Sequence, residues 1–273
     1  MNNTLGTIER CEACCEAADN GILWESLPVP VFGNPRSTRV KVATIAVNPA
    51  GGEFLVGANA KTREERLPLL RDYHKRQRRD LGSSDILDAQ ERRDSCFCIA
   101  QGIPRNCCHP WFDPLELILR GMNPDWSYFK CTVVHIDLVA CATERAWRSV
   151  PEQAKKTLQH NCRGHFRRTL SELPRGTLLL SNGVEPKDIP VEIDFELEIL
   201  NALPRLKIWR GTVLLDSRLF PFLGWSVTAK NMKDDQKASL WAVVRQYPFH
   251  PAHHTEPRYQ TNDRYKKSAE IIK

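Results

Sequence analysis

Four apolar, β-branched runs interrupt an otherwise polar chain: Val40 to Val47, Thr132 to Val139, Thr177 to Leu180 and Trp225 to Ala229. The first three are almost continuously apolar, which predicts strands covered on both faces, as in a parallel sheet. Lys207 to Leu215 is a further candidate strand. Helical patterns fall between the runs. Lys61 to Asp80 is charged and reads as a helix. Leu115 to Leu119 follows Pro114 and reads as a short one. Pro151 to Leu173 is the clearest, with Pro at its start and Ala154, Leu158, Cys162, Phe166 and Leu170 recurring every four residues. Gln236 to Gln246 is another. Strands alternating with helices predict an α/β fold, a three-layer α/β/α sandwich around a short central parallel sheet. In such sheets the functional residues gather at the carboxyl ends of the strands. The pattern predicts one domain over residues 1–250. Residues 251–273 form a polar tail, expected to be peripheral or mobile.

Composition changes this picture little. The 273 residues are 41 % hydrophobic, enough for a core, and no internal repeat is visible. No apolar stretch approaches the roughly 20 residues that span a bilayer, so no membrane association is expected. The start, Met1-Asn2-Asn3-Thr4, lacks the charged-then-apolar signature of a secretory signal. A cytoplasmic location is therefore expected, with the ten cysteines acting as thiols or metal ligands rather than disulfides. The net charge of +6 suits a protein that meets phosphates but is shared by many enzymes. The run Lys75-Arg76-Gln77-Arg78-Arg79 fits either a solvated helix face or a phosphate contact.

The chemistry-bearing candidates begin where the first strand ends, in Ile45-Ala46-Val47-Asn48-Pro49-Ala50-Gly51-Gly52. Pro49 keeps Asn48 extended, and the glycines allow a close backbone approach to a ligand. Taken alone, this is an ordinary strand-to-turn exit.

Several segments together resemble the uracil-DNA glycosylase superfamily. Ala46-Val47-Asn48-Pro49-Ala50 is similar to its first active-site motif, G-[IL]-N-P-G in the mismatch-specific branch and G-E-A-P-G or G-L-A-P in the iron–sulfur branches, with Ala in place of both flanking glycines. Val133 to Cys141 resembles the second strand of the iron–sulfur branch, roughly I-T-N-V-V-K-C. Gln159-His160-Asn161-Cys162 resembles that branch's E-x-x-x-C helix. Thr177 to Gly183 resembles its next strand, and Cys11-Glu12-Ala13-Cys14 its N-terminal C-x-x-C. The anchors run from Cys11 to Gly183. Beyond them, Lys230-Asn231-Met232 stands where the family has H-P-S in a DNA-inserting loop, and does not match it.

The resemblance implies a monofunctional DNA glycosylase that hydrolyses the N-glycosidic bond of a flipped-out base. Asn48 would position the hydrolytic water, and Lys230, Asn231 and Met232 would contact DNA. Phe97 or Phe112 would stack on the base, although aromatics here, Trp111 included, equally suit a core. Asp137 occupies the position of an Asn that reads uracil in the family. A carboxylate only accepts hydrogen bonds and suits the exocyclic amine of cytosine. The implied target is thus a modified cytosine, for example the glucosylated hydroxymethylcytosine of phage DNA, in an antiviral role. Asp137 could instead face away and pair with an arginine such as Arg145. Three other functions stay open: a uracil-excising repair enzyme, a non-catalytic DNA-binding sensor of the same fold, and a hydrolase of free nucleosides. DNA is the expected partner and a monomer the expected state.

The resemblance also implies one [4Fe–4S] cluster on Cys11, Cys14, Cys141 and Cys162. Two other readings of these residues stand beside it. Cys162 and Cys141 could serve as small hydrophobes in a helix stripe and at a strand end, or Cys11 and Cys14 could bind zinc with Cys107, Cys108 or His109. No catalytic role is expected for His74, His109 or His135, and no lysine is placed as a Schiff-base nucleophile.

Overall fold

The computed structural model describes residues 21–23, 28–29, 31–49, 55–56, 64–65, 111–143, 146–199 and 206–246. Its centre is a seven-stranded mixed sheet. Three of the four expected buried runs, with the strand that precedes the fourth, supply the middle of it. They are β2 (Val42–Ala46), β5 (Val133–Asp137), β6 (Leu178–Asn182) and the end of β9 (Arg218–Trp225). These strands lie side by side in the order β5-β2-β6-β9, and every pairing among them is parallel. β2, β5 and β6 are buried along their whole length, as two-sided cover requires of parallel strands.

The sheet is not wholly parallel, which corrects the expectation. β8 (Lys207–Leu215) returns antiparallel to β9, and β7 (Glu192–Ile199) pairs antiparallel with β8. Asp216 and Ser217, both at positive φ (47° and 65°), make the two-residue turn between β8 and β9. Two left-handed residues give the turn twist that matches right-twisted strands. A two-residue strand β1 (Val31–Phe32) closes the other edge against β5, also antiparallel. The sequence pattern misses β7 because its alternating acidic and apolar residues form an edge strand rather than an apolar run.

The fourth strand is displaced from its expected span. Trp225 to Ala229 is not the strand; β9 ends at Trp225, and Ala229–Asn231 forms a single 3-10 turn. Pro221 hides the true strand. It pairs with β8 at Thr212, ahead of Phe222, where pairing with β6 begins. A residue without an N–H is tolerated where only one neighbour flanks the strand. The helix expected over Lys61 to Asp80 is also corrected at its start. Glu64–Glu65 is a short strand, β4, antiparallel to β3 (Leu55–Val56); the remainder lies outside the described residues.

Helices cover both faces. α1 (Phe112–Met122) and α3 (Asp234–Gln246) lie on one face, where Leu115, Ile118, Leu119, Leu240 and Val243 join Val42, Val133, Leu180 and Trp225 in one cluster. α2 (Glu152–Glu172) covers the other, with Phe166 and Leu170 against Ala43, Ile45, Val134 and Leu179. The α/β/α layering follows from strand alternation, because odd and even positions of each strand meet different helices. Glycine lets α1 and α3 approach. A Cβ on Gly121 would lie 2.2 Å from the Trp241 ring, and that indole donates Nε1–H to the Ile118 carbonyl at 3.1 Å. No helix among the described residues is long and apolar enough to cross a membrane.

Candidate functional site

Because β2, β5, β6 and β9 run parallel, their carboxyl ends share one edge of the sheet. The backbone pairing of β2 with β5 continues past the strands, through Leu138 N to Ala46 O (3.0 Å) and Val139 N to Val47 O (2.8 Å). This holds Asn48, one residue further, against the segment that follows β5. The Asn48 side chain is half-buried. Its Nδ2 donates to the Pro49 carbonyl at 2.8 Å and to Thr143 Oγ1 at 3.0 Å. Both bonds use the amide nitrogen, so Oδ1 keeps its acceptor capacity. Thr143, which sequence reasoning missed, is buried and makes a β-bridge to Ile22.

Asp137 ends β5 directly beside Ala46. It is 1 % exposed, and neither carboxylate oxygen has a hydrogen-bond partner among the described residues. Burial pushes its pKa up, and the neighbouring His135 partly opposes the rise. His135 lies two residues back on the same face of β5, with Nε2 3.4 Å from Asp137 Oδ1. Its Nδ1 is 2.8 Å from Thr44 Oγ1, and Thr44 Oγ1 is 2.5 Å from Tyr128 Oη. Thr44 Oγ1 also lies 3.3 Å from the Val134 carbonyl, which can take its proton. Where that proton is given to His135 Nδ1 instead, Tyr128 donates to Thr44 and the remaining Nε2–H faces the Asp137 carboxylate. Burial raises the Tyr128 pKa well above its ordinary value, which keeps the phenol a donor. The turn before β5 is locked by Glu116, whose carboxylate accepts from Ser127 Oγ at 2.5 Å and Tyr128 N at 3.0 Å.

The other predicted residues fall as follows. Phe112, at the start of α1, is 2 % exposed and sits among Phe32, Trp111, Tyr128 and His135, with ring centroids 5.0 to 5.6 Å away. These contacts occupy it as core. The adjacent Trp111, whose centroid is 4.9 Å from His135, is the partly exposed ring at this corner. Phe97 lies outside the described residues. Lys230 and Asn231 are exposed on the turn after β9, at the same sheet edge. Met232 is 5 % exposed and packs in the cluster beneath α1 and α3, so it is a core residue rather than a DNA contact.

Cys141 and Cys162 come together. Both are buried in a small cluster with Ile22, Val139, Ala140 and Leu158. The N-terminal segment runs beside them, with Leu23 N donating to Ala142 O at 2.9 Å and Ile22 bridging Thr143. Cys11, Cys14, Cys107, Cys108 and His109 lie outside the described residues, as does Arg145. Among the described residues no three His, Cys, Asp or Glu side chains cluster as a metal site.

Sequence reasoning also missed Asn182, the last residue of β6. It is 3 % exposed. Its Oδ1 accepts from Ala229 N at 2.8 Å and from Trp225 Nε1 at 3.2 Å. Gly183 follows at φ 75°, and a Cβ there would lie 2.6 Å from Thr228 Cγ2. The turn after β6 and the turn after β9 are thus packed against one another. The Ser-Asn-Gly exit from an apolar strand was the one sequence signal for this site.

No family model, curated protein or solved structure matches the chain.

Proposed function

We propose that this protein is a monofunctional DNA glycosylase acting on a modified cytosine that has been turned out of the DNA stack. What supports this reading is one juxtaposition. Asn48, with its amide nitrogen anchored and its oxygen still able to accept, lies at the same sheet edge as Asp137, a buried carboxyl with no aligned hydrogen-bond partner among the described residues. Glycosidic hydrolysis needs a positioned water and a receptor for the departing base, and both groups are of the required type.

In this mechanism Asn48 Oδ1 accepts a hydrogen bond from water and orients its lone pair toward C1′ of the sugar. The water oxygen bonds to C1′ as the C–N bond breaks, and the electron pair leaves with the base. The proton lost by the water passes through solvent to the base. Fixed dipoles that favour the charge-separated transition state supply the acceleration. Asp137 accepts from the exocyclic amine of the cytosine ring, while the His135 Nε2–H holds the carboxylate from behind. A uracil carbonyl in the same place would face an acceptor, and an unpaired buried polar group discriminates strongly. Lys230 and Asn231 meet the DNA backbone.

The paired burial of Cys141 and Cys162 beside the N-terminal segment fits two ligands of a [4Fe–4S] cluster completed by Cys11 and Cys14. Such a cluster would tie the N-terminus to the sheet beside the Thr143–Asn48 contact. Its role here is structural, and no step of the hydrolysis passes through it.

The test is excision from duplexes that carry uracil, cytosine, hydroxymethylcytosine or glucosylated hydroxymethylcytosine, read as strand cleavage by alkali at abasic sites. Release from a modified cytosine by wild type, with a shift toward uracil in Asp137→Asn, is the expected result. Uracil release alone would make the protein a uracil-excising repair enzyme. DNA binding with no release would make it a sensor.

A further inference from the structure

The strand register places Asn182 opposite Asp137. Ala46 pairs with Asp137 on one side; on the other, Ile45 pairs with Ser181, so Ala46 comes next to Asn182. Alternation puts Asp137, Ala46 and Asn182 on the same face of the sheet as His135, Thr44 and Leu180. Two buried polar side chains thus flank a single methyl group at the carboxyl edge, and each has an unsatisfied end. Neither the Asp137 oxygens nor Asn182 Nδ2 has an aligned hydrogen-bond partner among the described residues, and the nearest group to the carboxylate is His135 Nε2, 3.4 Å from Oδ1.

The amide orientation at Asn182 is set by chemistry. Two N–H donors, Ala229 N and Trp225 Nε1, converge on Oδ1. Turning the amide over would set its NH₂ against both of them. The donor is therefore the end that remains. A buried polar group without a partner costs about 1–3 kcal/mol, and the great majority of such groups in proteins are satisfied. A donor and an acceptor left unsatisfied two strands apart, on either side of an alanine, are what a ligand with the opposite pair would complete.

We infer that Asn182 and Asp137 form a two-point reader for the amino and carbonyl groups of a 4-amino-2-oxopyrimidine. This deepens the glycosylase reading above and rests on it for the assignment of Asp137 to the base amine. In this arrangement Asp137 accepts from the 4-amino group and Asn182 Nδ2 donates to the 2-carbonyl. Neighbouring strands lie about 4.8 Å apart, so the backbones that carry Asp137 and Asn182 stand on either side of Ala46. Ala46 would form the floor between them, where a larger side chain would fill the space. The same Asn182 holds the start of the Lys230–Asn231 turn through Ala229 N, so base reading and the DNA-facing turn share one side chain.

The experiment measures binding of three free bases, cytosine, 4-aminopyrimidine and uracil, to the full chain and to Asn182→Asp, by calorimetry or ligand-observed NMR. Asn182→Asp keeps an acceptor for Ala229 N and Trp225 Nε1 and puts a carboxyl oxygen in place of the Nδ2 donor. Wild type is expected to bind cytosine about tenfold more tightly than 4-aminopyrimidine, which lacks the carbonyl. The variant is expected to bind the two alike. Equal affinity of wild type for cytosine and 4-aminopyrimidine overturns the inference, even should the variant fail to fold. So does a folded variant that retains the tenfold preference, or a wild type that binds none of the three. Excision assays separate the two proposals. Base release without the carbonyl preference leaves the glycosylase and removes the reader. The preference without release from any DNA leaves the reader and removes the glycosylase.

Discussion

Asn48 and Thr143 are 95 residues apart in sequence, yet the Asn48 amide donates to the Thr143 hydroxyl at 3.0 Å. The contact exists because β2 and β5 pair in parallel and their pairing runs on to Val47 and Val139. It turns a strand-end asparagine into a side chain with one end held and the other presented.

Replacement of Asn48 by Ala should lower single-turnover base release by about 10²–10⁴-fold, the usual worth of a water-positioning group, with DNA affinity little changed. Thr143→Val removes only the anchor. It should lower the rate of chemistry by about tenfold without altering DNA affinity, and Thr143→Ser should restore it. Gel-shift affinity and single-turnover excision, measured side by side, check both. Wild-type rates in Asn48→Ala would remove Asn48 from the mechanism.

Asp137 should make stability depend on pH. Its folded-state pKa is raised above the ordinary 3.8 by burial. A raised folded pKa means that the folded chain holds the proton more tightly than the unfolded chain does. The associated stability is full below 3.8 and is lost as pH rises through the folded value. At neutral pH, well above the unfolded-state value, that stability is reduced and the buried carboxyl is therefore a burden. Asp137→Asn should melt higher than wild type at pH 7, and the gap should close as pH falls below the ordinary aspartate range. Thermal melts across pH 3–8 decide this; a variant less stable than wild type throughout would contradict it.

The buried Tyr128–Thr44–His135 chain should behave as a unit. Tyr128→Phe removes one hydroxyl and should cost about 0.5–1.5 kcal/mol. Thr44→Val removes the hydroxyl that both Tyr128 Oη and His135 Nδ1 contact, and should cost more, about 1–3 kcal/mol. The double variant should be less damaged than the sum of the two, because it removes both ends of one bond. Denaturant titrations of the three variants measure the coupling, and strict additivity would show that the groups act independently.

The cysteine pair gives a chemical prediction. Anaerobically purified protein should absorb in the visible and contain iron, and Cys162→Ala should lose both. Since Cys162 is 2 % exposed among Ile22, Val139 and Leu158, the plain hydrophobic alternative predicts instead a colourless wild type and a modest loss of stability in the variant. Iron analysis with absorption spectra distinguishes them, and colourless, iron-free protein with full activity would rule out the cluster.

By itself the sequence determined the elements whose signal is local. β2, β5 and β6 are legible because a strand buried on both faces must be apolar almost throughout, and α2 because its stripe repeats every four residues behind Pro151. Asn48 stands at a legible strand end, but it and Asp137 were singled out through the resemblance of their segments to a known family. Tertiary structure decided what depends on pairing. Lys207 to Leu215 is legible as β8, but its antiparallel partners were concealed, β7 as an acidic edge strand and β9 by Pro221, since neither produces an apolar run. Thr143 and His135 carry no signal of their own, and Asn182 only that of a Ser-Asn-Gly strand exit. A threonine, a histidine and an asparagine in sequence do not reveal whether they end beside Asn48, behind Asp137, or across an alanine from it. Parallel strands bring their carboxyl ends to one edge only through register, and register is set by contacts between residues far apart in the chain.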